Sequence, residues 1–297
     1  MEDFSQILLI SDYDRTMTAH SGEVPPRNLA AVGEFIARGG RFTIATGRSM
    51  PMFKLPLRGL HLNAPALIAN GAAVCDLETG ETTVRRPFAP GALDAAWTLH
   101  QQFPQLRMEF EGLRGHDCFG PDPLREAYLE RYGVSFRYPD FSGIEPDVLS
   151  VTYYAPFRAA GHVPFSQLDP EEERPFDEME AIVRREYLHY FTPIRSMPRM
   201  LELIPAGCGK GEAARELASR LCRPVLLCAG DAPNDLDMLE EADRAFIPED
   251  AAPALFGRGF ETVASCDQGA IAAAIALLFQ KNALTAAEKR ISLYKNA

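Results

Sequence analysis

Asp12 and Asp14 stand two apart in LLISDYDRT, and Asp231 and Asp235 stand four apart in GDAPND; each pair follows a short apolar run. Four carboxylates converging on one partly buried crevice repel one another and rise in pKa unless a cation holds them. Oxygen-only ligands, with no His or Cys among them, suit Mg²⁺, which takes one or two carboxylates and keeps its other positions for water and phosphate. Together with Lys210, such an ion lets an anionic phosphate ester approach a chain of formal net charge −11. An ionised Asp12 is then a nucleophile toward phosphorus. Asp14 is placed to protonate the leaving oxygen and later to deprotonate the water that hydrolyses the intermediate. The Thr46 hydroxyl and the Gly47 amide supply donors to phosphoryl oxygens.

These residues must be brought together by the elements before them. Ile7 to Ser11, Arg41 to Ala45 and Val225 to Ala229 read as buried strands, each ending in a polar loop. In parallel sheets ligands bind beyond the carboxyl ends of the strands. Pro25 and Pro26 open a helix that carries Leu29, Val32, Phe35 and Ile36 and closes at Gly39 and Gly40. Strand, helix and strand at this spacing predict right-handed crossovers and a parallel sheet covered by helices. From about Val84 the pattern changes to short helices such as Gly91 to Phe103 and strands such as Val148 to Tyr154, which indicates an α+β insertion. Pro156, Pro164, Pro170 and Pro175 predict a long surface loop within it. After Met200 to Ile204 the crossover pattern resumes, with a helix from Gln268 to Phe279 and a terminal helix from Thr285.

Composition bounds the partners. With 46% hydrophobic and 24% charged residues the chain reads as a folded globular protein. Its acidity, without a basic patch, argues against nucleic acid and anionic lipid. The six cysteines form no CxxC pair and suit reduced thiols, so a cytoplasmic location is expected. The opening MEDFSQ is unlike a signal peptide, and no apolar run reaches the roughly 18 residues of a membrane span.

DxDxT at Asp12 to Thr16, Thr46 after a strand, Lys210, and GDxxND at Gly230 to Asp235, in that order, resemble the haloacid dehalogenase superfamily. The segments ATGRS, ANGA and LELIPAGCGKGEA, with roughly a hundred residues inserted between the second and third motifs, look like its Cof-type phosphatases. The resemblance implies an α/β fold: a Rossmann-like core at residues 1–83 and 192–297, with an α+β cap at 84–191 that chooses the substrate. It implies Asp12 as nucleophile, Asp14 as acid and base, Thr46 as phosphate anchor and Lys210 as the group orienting the nucleophile. It also implies Mg²⁺ held by the Asp12 side chain, the Asp14 backbone carbonyl and Asp231, with Asp235 just behind and Asn234 close to phosphate. The expected substrate is a small phosphorylated metabolite, a sugar phosphate or phosphorylated cofactor, and the expected state a monomer or homodimer. A phosphomutase, or a phosphate-binding module without turnover, is the alternative. Arg15 departs from the pattern, because the family most often has Gly there.

Plainer readings stand beside these. Arg48 suits a surface or cap contact as well as it suits substrate. Asn70-Gly71 is first a hairpin turn and only second a substrate contact. Asp231 to Asp235 also reads as a turn and helix start, and the two roles are compatible. The six histidines, His116 and His189 among them, have no paired spacing and read as structural. Trp97 and the cluster Tyr187, His189, Tyr190 and Phe191 read as cap core. The run Asp169 to Glu173 reads as a solvated helix start.

Overall fold

The computed structural model describes residues 3–49, 52, 57, 59–144, 147–156 and 169–279. Strand β1 (Ile7–Asp12) leads to helix α1 (Pro26–Ala37) and then to β2 (Arg41–Ala45), β3 (Ala66–Ile68), β4 (Ala73–Cys75) and β5 (Thr82–Val84). There follow α2 (Ala92–Gln102), β6 (Arg107–Gly112), β7 (His116–Phe119), α3 (Pro123–Arg131), β8 (Phe136–Arg137) and β9 (Val148–Tyr154). Next come α4 (Pro170–Ile182), β10 (Phe191–Ile194), β11 (Met200–Pro205), α5 (Lys210–Arg220) and β12 (Val225–Ala229). Helix α6 (Leu236–Glu241), strands β13 (Arg244–Pro248) and β14 (Glu261–Val263), and helix α7 (Ala270–Leu278) complete the described order.

The strands form two sheets. The first has the order β14-β13-β12-β1-β2-β3-β4-β5, parallel from β14 to β3 and antiparallel from β3 to β5. Its central strands are largely apolar and nearly all buried because both faces are covered. Ile7 and Leu9 pack on one side with Val32 and Phe35 of α1 and Ile271 and Ile275 of α7. Leu8 and Ile10 pack on the other with Ala213 and Leu217 of α5 and Met238 and Leu239 of α6. Each such aliphatic side chain contributes about 1.5–3 kcal/mol by leaving water.

The second sheet has the order β10-β11-β9-β6-β7-β8. Phe110, Val151, Tyr153, Leu201 and Leu203 bury one face of it against α2 and α4 through Ala96, Leu99, Phe176 and Met179. Its other face carries Glu109, Glu111, Ser150, Thr152 and Glu202, which are also buried. Leu149 and Ile204 of this sheet join the apolar cluster of the first unit, so the two units touch.

Two expectations are corrected. Strand β11 and, apart from Phe191, strand β10 fall in the core under a boundary at residues 191 and 192, but both belong to the second sheet, which therefore runs to Pro205. The apolar run of β11 resembles a core strand, but its backbone pairs antiparallel with β9 from Met200 to Leu203. Pro170 and Pro175 do not form a loop, since Pro170 opens α4 and Pro175 lies inside it. Asp169 caps this helix by accepting the Glu171 N–H, three acids in the first turn match the dipole, and Phe176 and Met179 are buried. Those gains outweigh the hydrogen bond that Pro175 cannot donate. Pro164 and the terminal helix expected from Thr285 lie outside the described residues. No helix among the described residues is long and apolar enough to cross a membrane.

The β3–β4 turn is pressed against the start of α5. Gly71 has φ +85°, and a Cβ there would come within 2.3 Å of the Gly209 carbonyl oxygen. Gly71→Ala is expected to lower stability by roughly 2–4 kcal/mol, the sum of left-handed strain and overpacking. Chemical denaturation measures this, and an unchanged midpoint would refute the tight contact.

Candidate active site

β12, β1 and β2 lie side by side, with Ser11 opposite Ala229 and Asp12 opposite Ala45. Their polar carboxyl ends therefore meet. Asp12 ends β1 and is buried. The wide turn Tyr13–Met17 that follows is not regular helix, because Asp14 is extended (φ −76°, ψ 123°) and Arg15 left-handed (φ 60°, ψ 13°). This kink separates the two aspartates. Asp12 faces inward, while the Asp14 side chain is 49% exposed and receives both the Nη2 (2.7 Å) and Nε (2.9 Å) of Arg48.

Lys210 is the first residue of α5, a position the helix dipole disfavours for a cation. Two carboxylates offset that cost: the buried ammonium donates to Asp12 Oδ1 and to Asp235 Oδ1, both at 2.6 Å. Asp235 Oδ2 accepts the backbone N–H groups of Asp231 and Ala232, each at 3.0 Å. The loop can wrap the carboxylate this closely because residue 230 is glycine; a Cβ there would lie 2.5 Å from Asp235 Cβ. Asp231 accepts the Thr16 hydroxyl on Oδ1 and the Arg15 guanidinium on Oδ2, both at 2.9 Å.

Carboxylate oxygens of Asp12, Asp231 and Asp235 lie within 4.8 Å of one another. Burial and then repulsion from Asp235 push the pKa of Asp12 well up, against the pull of Lys210. The same two causes push Asp231 up to about 7, against Arg15 and Thr16. Burial opposes the Lys210 charge, but Asp12 and Asp235 outweigh it and raise its pKa. Crowded carboxylates that still favour protonation, with two cations already beside them, have the chemistry of a hard divalent-cation site. Asp12 and Asp231 suit the ligand role. Asp235, fully buried and held by Lys210 and by the backbone amides of its own loop, suits a brace behind them.

The remaining predicted residues flank this cluster. Thr46 is buried, and its hydroxyl accepts the Arg48 N–H at 3.1 Å, which leaves its own proton for donation. Gly47 lets Asn70 approach; a Cβ there would stand 3.1 Å from Asn70 Nδ2. Asn70 is at once a turn residue (φ 50°) and a buried connector. It accepts Asn234 Nδ2 at 3.0 Å and donates to Glu202 Oε2 at 2.5 Å. Arg48 lies over the rings of Tyr13 and of Tyr132 in the second unit, 5.3 and 5.2 Å from their centroids. The structure thus gathers Asp12, Lys210, Asp231 and Asp235 in one cluster, sets Thr46, Gly47, Asn70 and Asn234 around it, and holds Asp14 with Arg48 at its exposed edge.

The polar face of the second sheet escaped the sequence reading. Glu202, Thr152 and Glu109 are neighbours in register across β11, β9 and β6. Glu202 accepts from Asn70 and from the Ser196 hydroxyl. Glu109 accepts two bonds from Arg125, at 2.8 and 2.7 Å, and one contact from His116 Nδ1 at 3.1 Å. The other ring nitrogen of His116 meets Ser49 Oγ of the first unit at 3.1 Å. A proton on Nδ1, facing Glu109, leaves Nε2 to accept from Ser49. His116, read as merely structural, therefore bridges the two units. The available signal was the alternation of Glu109 and Glu111 with Met108 and Phe110, a strand whose polar side had to face something.

Comparisons with known proteins bear on the family and the fold. A family model described as haloacid dehalogenase-like hydrolase matches residues 9–275. An HMP-PP phosphatase of Serratia proteamaculans is 24% identical over 269 residues, which cover 88% of this chain and 91% of that protein. One of Escherichia coli is 28% identical over 247 residues, 82% of this chain and 84% of that protein. Among solved structures, a haloacid dehalogenase-like hydrolase from Bacteroides thetaiotaomicron shares the fold with a TM-score of 0.73 at 20% identity, over 92% of this chain and 99% of that one.

Glu202 makes the contact between the units sensitive to pH. Burial and the neighbouring Glu111 push its pKa from 4.5 up to about 7, with Ser196, Lys210 and Arg125 pulling the other way. The folded state thus holds the proton more tightly than the unfolded chain. Its stabilising contribution is full below pH 4.5 and is lost as pH rises through about 7. Glu202→Gln should remove a pH dependence on the order of 3 kcal/mol. Denaturation curves of both proteins across that window measure it, and parallel pH profiles would contradict the buried, protonated carboxyl.

Proposed function

The chain belongs to the haloacid dehalogenase-like hydrolases and is a phosphatase of that family, and we propose that it hydrolyses a small phosphomonoester with Asp12 as nucleophile. The observation that carries this reading is the buried Lys210 ammonium held 2.6 Å from Asp12 at the meeting of three strand ends. In this reading an Asp12 oxygen forms a bond to phosphorus as the ester oxygen leaves, and Asp14 supplies that oxygen with a proton. Asp14 then takes a proton from the water that attacks phosphorus, which returns Asp12 as carboxylate and frees inorganic phosphate. Lys210 keeps the Asp12 oxygen aimed and disperses its charge. Thr46 and the amide of Gly47 donate to phosphoryl oxygens, and Asn234, steadied by Asn70, lies close to phosphate.

Asp12, the Asp14 carbonyl and Asp231 would hold Mg²⁺, which would supply the positive charge that lets a phosphate dianion meet carboxylates. Asp235 braces this arrangement through Lys210 and the amides of Asp231 and Ala232. The second unit, whose polar face meets Ser49 and Asn70, is the part that selects the leaving group and excludes water. The substrate class is a small phosphorylated metabolite. The relatives named HMP-PP phosphatase make that compound a natural member of a substrate panel beside sugar phosphates.

Asp12→Asn keeps the shape of the side chain and removes the nucleophile. Phosphate release is expected to fall by about a thousandfold or more while circular dichroism stays that of the parent; retained turnover would sink the assignment. Treatment with a chelator should stop turnover and added Mg²⁺ should restore it. Hydrolysis indifferent to chelation would take the ion out of the mechanism.

A further inference from the structure

Arg15 is a charged residue of the nucleophile loop that the reaction leaves unused, and its position is costly. Its backbone is left-handed, with φ 60°, a conformation that costs a side-chain-bearing residue about 1 kcal/mol and glycine nothing. Its amide donates to Thr18 Oγ1 at 3.1 Å, which fixes the kink. From there the guanidinium donates through Nη2 to Asp231 Oδ2 at 2.9 Å, while Thr16 holds Oδ1. Both oxygens of Asp231 are therefore taken by the chain itself. The Arg15 side chain is 22% exposed and that of Asp231 only 4%, so this ion pair sits at the entrance to the buried carboxylates.

Charge arithmetic gives the pair its meaning. When ionised, as a cation ligand must be, Asp12, Asp231 and Asp235 bring three negative charges, and Lys210 and Arg15 bring two positive ones. A glycine at position 15 would leave one more uncompensated negative charge for a divalent ion to meet. We propose that Arg15 is a resident counter-ion that competes with the divalent cation for Asp231 and thereby sets how tightly this chain takes the ion. Two cations that need one carboxylate oxygen are coupled negatively, and the coupling is reciprocal: whatever the guanidinium gains from Asp231, the entering ion must overcome. The strained backbone is thus held in place by an electrostatic contact that tunes the site. The inference rests on reading Asp231 as a ligand of the ion.

The test is calorimetric titration of the full chain with Mg²⁺ and with Mn²⁺, comparing the parent with Arg15→Gln and Arg15→Gly. Gln keeps the length without the charge, and Gly suits the left-handed backbone and so guards against misfolding. Both variants should bind the ion about tenfold more tightly. Melting temperatures supply a second readout. The variants should melt below the parent in chelator and recover, or exceed it, at saturating Mg²⁺, whereas a merely structural Arg15 would lower both values equally. If the parent takes up ion and both variants bind equally or more weakly, the inference fails while the metal reading stands. If the parent takes up neither ion, the metal reading and the inference fall together.

Discussion

The contact on which the site depends is the Lys210 ammonium buried between Asp12 and Asp235. Asp12 and Asp231, beside Asp235 at the end of a parallel sheet, are driven toward protonation by burial and by the neighbouring carboxylate of Asp235. A protonated Asp12 is no nucleophile. The lysine counters this locally, and it can do so only because α5 begins where β1 and β12 end. Such a buried ion pair contributes little net stability, since desolvation absorbs most of the Coulomb gain, but losing one partner leaves a charge stranded. Geometry is therefore enforced more by the cost of breaking the cluster than by the benefit of forming it.

The local backbone is shaped to that cluster. Gly230 lets the Asp231 loop fold onto Asp235, and Gly71 lets the β3–β4 turn pack on Gly209 beside Lys210. The left-handed Asn70 then links Asn234 on one side to Glu202 on the other. A polar chain runs in this way from the strand ends of the first sheet into the second, and Ser49 with His116 makes a parallel link. The second unit is thus coupled to the strand-end loops of the first sheet by hydrogen bonds at defined atoms, in addition to the apolar contacts of Leu149 and Ile204. Because Glu202 and Glu109 sit in low dielectric, these links are stronger than they would be in water and harder to leave half made.

Asp12, Asp14, Lys210, Asp231 and Asp235 were legible in the sequence because each follows a recognisable element boundary, and a parallel sheet forces strand ends together. The strands read at Ile7 to Ser11, Arg41 to Ala45 and Val225 to Ala229 were equally legible, the first running one residue further to Asp12, since a short, near-continuous apolar run bounded by polar loops is what a strand covered on both faces requires. The same pattern misplaced β11, because an apolar run does not reveal which sheet its hydrogen bonds join. It made a loop of Pro175, since local propensity says nothing of the packing of Phe176 and Met179 that carries the helix through it.

What the sequence determined by itself was the order of elements and the residue types at their ends, and hence the class of chemistry, because hydrophobic periodicity and carboxylate chemistry are local properties. Only the tertiary structure decided the partners. It set Arg48 on Asp14, Arg15 on Asp231, Asn70 between Asn234 and Glu202, and His116 between Glu109 and Ser49. Each of these pairs spans residues distant in the chain or on adjacent strands of one sheet, and charge pairing and hydrogen bonding act through space, where sequence separation carries no information.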